Sequence, residues 1–78
     1  MIEREPVQSA SLRSVGYDAR EHMLEVEFHS GGIYRYVGVP FETYRALRAS
    51  DSLGRFFARN VRNTYECWKL VRRPAVSS

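Results

Sequence analysis

An α+β domain, built as an antiparallel three-stranded meander with two helices packed on one face, is the fold class this sequence predicts. Three observations carry the prediction. Leu24-Glu25-Val26-Glu27-Phe28 and Ile33-Tyr34-Arg35-Tyr36 alternate apolar and polar residues on either side of Ser30-Gly31-Gly32, the pattern of a β-hairpin. Further on, apolar residues recur at helical spacing in two short segments, one behind Pro40 and one behind Ser52. Finally, 78 residues suit one domain, and a composition 44% hydrophobic and 13% aromatic supplies the large side chains so small a core requires.

Residues 1–10 carry no sustained period and include Pro6, so they read as an N-terminal arm, extended near its end. The domain proper is expected over 11–71. Its first strand is Leu12 to Tyr17, where the alternation is imperfect and Gly16 marks a bulge or a close backbone approach. Asp18-Ala19-Arg20-Glu21 is a link of turn length, because an Asp side chain can accept from the backbone two residues on. The second strand begins near Met23.

Register decides how the hairpin's tyrosines are read. Side chains alternate along a strand, so Leu24, Val26 and Phe28 share one face while Glu25, Glu27 and His29 share the other. A two-residue turn would drive Arg35 onto the core face and align Tyr34 and Tyr36 with the acids. A three-residue loop, Ser30-Gly31-Gly32, instead places both tyrosines with Val26 and Phe28 and sets Arg35 opposite Glu27. Opposite charges across a strand pair add roughly 0.2–1 kcal/mol, in agreement with the apolar pattern.

Val39-Pro40-Phe41-Glu42 reads as a helix entry, since Pro presets φ and Glu42 meets the positive end of the helix dipole. Phe41, Tyr44 and Leu47 form its apolar side. Ser50-Asp51-Ser52 supplies capping oxygens for a second helix running to about Arg62, with Leu53, Phe56, Phe57 and Val61 on one stripe. Arg55, Arg59 and Arg62, at i, i+4 and i+7, lie opposite. Asn60 points toward the stripe and reads as a satisfied core amide. Tyr65 to Val71 alternates loosely around Trp68 and could return as a C-terminal edge strand, and residues 72–78 read as a tail.

The net charge of +3 hides an asymmetry: residues 1–32 sum to −3 and residues 33–78 to +6. Basic charge toward the end of the chain suits an anionic partner, although a solvated face is the commoner reason for such a charge run. Catalysis is not expected. His22 and His29 stand apart from any metal-type spacing, so no metal or cofactor is expected either. Cys67 has no His to activate it and reads as a small core residue. One cysteine and a charged amino end without an apolar run point to the cytoplasm and to no membrane span.

The order of Val15-Gly16-Tyr17-Asp18, Leu24-Glu25-Val26-Glu27-Phe28, Gly31-Gly32-Ile33-Tyr34-Arg35-Tyr36, Val39-Pro40 and Gly54-Arg55-Phe56-Phe57 resembles the KTSC domain over roughly residues 6 to 70. That small domain is named for the carboxyl terminus of some lysyl-tRNA synthetases and also occurs as a free-standing bacterial protein. Its hallmark is a central Tyr-x-Tyr, matched by Tyr34-Arg35-Tyr36. The resemblance implies nucleic-acid binding, RNA before DNA, through the domain's attachment to a tRNA enzyme.

Two functional readings follow. In the first, a non-catalytic accessory domain binds nucleic acid through Arg55, Arg59 and Arg62, with Arg35, Arg45, Arg48, Lys69, Arg72 and Arg73 enlarging the field. Tyr34 and Tyr36 could stack on bases, but the register favours them as core-edge residues with hydroxyls at the rim. In the second, the domain docks a protein partner on a sheet edge or on an aromatic rim of Tyr34, Tyr36 and Trp68.

Overall fold

A computed structural model describes residues 2–70. It contains β1 (Glu5–Pro6), β2 (Leu12–Asp18), β3 (Met23–Phe28), β4 (Ile33–Val37), α1 (Phe41–Ala49), α2 (Leu53–Asn60) and β5 (Cys67–Lys69). The strands form a five-stranded antiparallel sheet in the order β1-β2-β3-β4-β5. The expected meander of three strands is thus its middle, extended at both edges. The arm contributes β1, which pairs with β2 through Glu5↔Val15 and Pro6↔Ser14. The loosely alternating end contributes β5, which pairs with β4. Val71 and the tail over 72–78 lie outside the described residues.

The imperfect alternation of β2 has a local cause. Leu12 faces Phe28 and Ser14 faces Glu27, so Arg13 is an extra residue in the ladder and turns out to solvent. That shift lets Leu12 and Val15, three apart, both reach the core, where each is fully buried. The bulge is therefore at Arg13, and Gly16 is the close approach. A Cβ on Gly16 would sit 2.3 Å from the Glu3 carbonyl oxygen and 2.8 Å from Ile2 Cγ2.

Asp18 Oδ1 accepts from the backbone N–H of Arg20 (2.9 Å) and of Glu21 (3.2 Å), closing the turn into β3. In the hairpin, the Phe28 N–H donates to the Gly32 carbonyl at 2.9 Å, so the three-residue loop is His29-Ser30-Gly31. Gly31, at φ 104, supplies the positive dihedral. Pairing then runs Val26↔Tyr34, Glu25↔Arg35 and Leu24↔Tyr36, so Arg35 lies opposite Glu25 rather than Glu27. Moving the loop one residue toward the amino end re-pairs each residue with one two places along. An even shift leaves every side chain on its face, so both tyrosines still join the apolar row.

Leu24, Val26 and Tyr36 from the sheet, Leu47 from α1 and Phe57 from α2 meet in the core. α2 opens with Ser52 Oγ accepting from the Arg55 N–H at 3.3 Å and ends at Asn60, two residues before the expected limit. Asn60 is exposed, its Nδ2 donating to the Phe56 carbonyl at 3.2 Å, so it is not a core amide. Cys67 is exposed as well, on the edge strand β5, and so is not a core residue.

The other face of the sheet is covered by the arm. Ile2 is buried there and Arg4 reaches across β2 to β3. Replacing Gly16 by Ala is expected to push the arm off and lower stability by about 1–3 kcal/mol, the usual cost of forcing atoms into a packed site. Urea denaturation measures it; an unchanged midpoint would show that the arm does not depend on that contact.

Candidate nucleic-acid interface

Helical spacing places Arg55 and Arg59 one turn apart on the exposed side of α2, opposite buried Phe57. Both border a shallow groove of about 220 Å³ with Ser50, Asp51, Ser52, Phe56 and Asn60. Arg62 does not continue this stripe. The chain leaves the helix at Val61 (φ −121, ψ −47), and the Arg62 guanidinium turns back over the Phe57 ring, 5.9 Å from its centroid.

There Arg62 joins a second groove, of about 480 Å³, whose lining includes Phe28, Ser30, Tyr34, Tyr36, Asn63 and Cys67. Edge-to-face aromatic contacts build its wall. Tyr34 meets Phe28 at 5.5 Å, Phe28 meets Phe57 at 5.5 Å, and Tyr36 meets Phe57 at 5.3 Å. The two tyrosines differ in burial: Tyr36 is 4% exposed, whereas Tyr34 is half-buried. Burial pushes the Tyr36 phenol up from its ordinary value, and the neighbouring Cys67 thiol acts the same way, against a smaller opposing pull from Arg62. Tyr34 is seated over Gly32, where a Cβ would lie 3.1 Å from its Cε1 and 3.8 Å from Lys69 Cε. Lys69 faces the same side of the sheet, paired with Tyr34 across β4 and β5.

The remaining expected cations go elsewhere. Arg35 lies on the opposite face, where its Nη2 donates to Glu25 Oε1 at 2.7 Å. Arg4 pairs with the other oxygen of Glu25 and donates from Nε to Ser14 Oγ at 3.0 Å. Glu25 is thus 3% exposed and held between two guanidiniums, rather than displayed to solvent. Arg48 is tied to Glu5 (3.0 Å) and to the Tyr44 hydroxyl (2.8 Å). Arg45 is exposed on α1, and Arg72 and Arg73 lie outside the described residues. Trp68 pairs with Arg35 on the outer face, so the expected rim of Tyr34, Tyr36 and Trp68 is divided between two sides of the sheet. Ser30, Asn63, Cys67 and Lys69 were not singled out as a group by sequence reasoning. Period-two spacing joins Cys67 and Lys69, but only the β4–β5 register brings them to the tyrosines.

Among the described residues no group of three His, Cys, Asp or Glu side chains is placed to hold a metal ion. No helix among them is long and apolar enough to cross a membrane.

The KTSC domain family matches residues 8–65, a span holding the hairpin, both helices, Tyr34-Arg35-Tyr36 and Gly54-Arg55-Phe56-Phe57. The chain belongs to the KTSC domain family. An uncharacterized protein of Stutzerimonas stutzeri (strain A1501) is 47% identical over 70 residues, which cover 88% of this chain and 99% of that protein. The crystal structure of a KTSC domain protein from Yersinia pestis superposes with a TM-score of 0.88 at 35% identity, covering 91% of this chain and all of that one. The matched KTSC span includes Tyr34, Tyr36 and Arg62, while Cys67 and Lys69 follow it.

In this KTSC domain, Glu25→Ala should destabilise by about 2–4 kcal/mol. Breaking a buried pair costs roughly 3–5 kcal/mol, discounted because both guanidiniums keep some solvent. Glu27→Ala should cost under about 1 kcal/mol, as for a partly exposed pair. Chemical denaturation distinguishes them, and equal losses would refute a special role for Glu25. Tyr36, its phenol raised by burial, should ionise above the ordinary tyrosine range in an ultraviolet titration. With its folded value raised, it favours the native state fully below about pH 10, and that contribution falls as pH rises further. Tyr36→Phe should therefore flatten the alkaline loss of stability.

Proposed function

We propose that this KTSC domain is a non-catalytic nucleic-acid-binding module that takes RNA in preference to DNA along the C-terminal side of α2. The observation that carries the reading is how the arginines sort by partner. Arg4, Arg35 and Arg48 are neutralised by Glu25 and Glu5; of the described arginines that make no ion pair with a carboxylate, Arg13, Arg20 and Arg45 are scattered over other elements, whereas Arg55, Arg59 and Arg62 follow one another along α2 and just past it. Two such guanidiniums along the exposed side of α2 and a third just past its end suit phosphate oxygens, which guanidinium groups bind in bidentate fashion. Contacts of this kind position a strand without reading its sequence. The preference for RNA rests on the family's link to a tRNA enzyme. A partner protein docked on the β5 edge beside Trp68, which is 48% exposed, is the competing reading.

Fluorescence anisotropy with a labelled single-stranded RNA of mixed sequence tests the proposal. Three phosphate contacts imply a log–log salt slope near −2, or about 20-fold weaker binding on going from about 50 to 200 mM salt. Arg55, Arg59 and Arg62 all changed to Gln should abolish that slope and most of the affinity. Unchanged RNA binding in the triple variant would refute the proposal, and a salt-insensitive complex with a protein would favour the β5 edge.

A further inference from the structure

The groove between β4, β5 and the end of α2 combines features that the phosphate reading does not require. Tyr34 offers part of an aromatic ring, braced edge-on by Phe28 and seated on Gly32. Arg62 supplies a cation on the same lining, and Lys69 approaches from β5. Ser30, Asn63 and the Tyr36 hydroxyl bring donors and acceptors, and no carboxylate lines the groove. Its volume of about 480 Å³ falls within the range of small-molecule sites. An aromatic surface, a cation and an amide, with no acid to repel an anion, is the set of groups that takes an unstacked nucleotide: a ring to stack on, a charge for the phosphate, polar groups for the base edge.

We propose that this groove is a single-nucleotide subsite, in which one base of a bound strand stacks on Tyr34 while its phosphate rests on Arg62 and Lys69. The inference rests on the nucleic-acid reading and specifies where a base enters. Arg62 lies just past α2 and over Phe57, off the Arg55–Arg59 stripe, so a strand held by Arg55 and Arg59 reaches the groove by turning round the helix end.

Cys67 makes the test direct, because it is the only cysteine in the chain, is exposed and lines the groove. Its alkylation by iodoacetamide is followed by intact mass with uridine 5′-monophosphate, uridine, inorganic phosphate or single-stranded RNA added. An occupied groove should slow alkylation in proportion to occupancy, about tenfold at a nucleotide concentration ten times the dissociation constant. Arg62→Gln and Tyr34→Leu, with folding checked by circular dichroism, should each remove protection by the nucleotide, and Arg20→Gln in the remote β2–β3 turn should not. If Tyr34→Leu fails to fold, Gly32→Ala, which crowds the Tyr34 ring, takes its place.

Full reactivity of Cys67 in saturating nucleotide would overturn the subsite. Equal protection by inorganic phosphate would also overturn it, because an anion site without a base is not what is proposed. RNA that binds by anisotropy yet leaves Cys67 reactive would sink the subsite and spare the nucleic-acid reading. Protection by the mononucleotide in a protein that binds no RNA would support the subsite and refute that broader reading.

Discussion

Phe57 is where the fold and the candidate site meet. It is 1% exposed, receives the edges or faces of Phe28 and Tyr36, and lies beneath the guanidinium of Arg62. A buried aromatic of this size accounts for about 3–5 kcal/mol on truncation, against a total stability of about 4–12 kcal/mol for a domain this small. Phe57 packs α2 against Phe28 of β3 and Tyr36 of β4, two rings that line the groove. The position of Arg62 is a consequence: its charge is fixed by a ring whose first duty is packing.

The outer face of the sheet poses the opposite problem. A thin domain with all its helices on one side exposes the other side of the sheet, and here a short arm and an ion cluster cover it. Ile2 lies over Gly16, while Arg4 and Arg35 enclose Glu25. Desolvating a carboxylate is costly unless its oxygens are matched, and the two guanidiniums provide the match, while the Ser14 hydroxyl accepts from Arg4 and donates to Glu27. This arrangement uses up two of the arginines that sequence spacing alone would offer to a ligand, and it leaves that face with little positive charge to spare.

Parity, more than register, made the hairpin legible. Period-two alternation assigned Tyr34 and Tyr36 to the core side, and the actual loop, shifted by one residue, preserved that assignment because the change in pairing is even. Partners are less protected than faces, so Arg35 was matched to the wrong glutamate. The edge strands were less legible for a different reason. The loose alternation of Tyr65 to Val71 pointed to a C-terminal edge strand, which forms as β5 over Cys67–Lys69, whereas β1, only Glu5–Pro6, is too short to display a period and is defined by the strand it pairs with. Helical arithmetic likewise held for Arg55 and Arg59 and failed for Arg62, because it assumes the helix continues and α2 stops at Asn60. The groove was hidden for the same cause, being assembled from a loop, two strands and a helix end.

These points together give the Tyr-x-Tyr pattern a physical meaning. Tyr36 lies opposite Leu24 in mid-strand, beneath Phe57, and serves the core. Tyr34 lies two residues nearer the hairpin end, where Phe28 braces only its edge, and so keeps surface to offer a ligand. Between them, Arg35 must point the other way, into the Glu25 cluster. One strand thus supplies a packing ring, a half-buried ring and a clamp for the far face within three residues. Because the clamp neutralises Arg4 and Arg35, the face they occupy has little free positive charge among the described residues, whereas Tyr34 and Arg62 share one groove on the helix side.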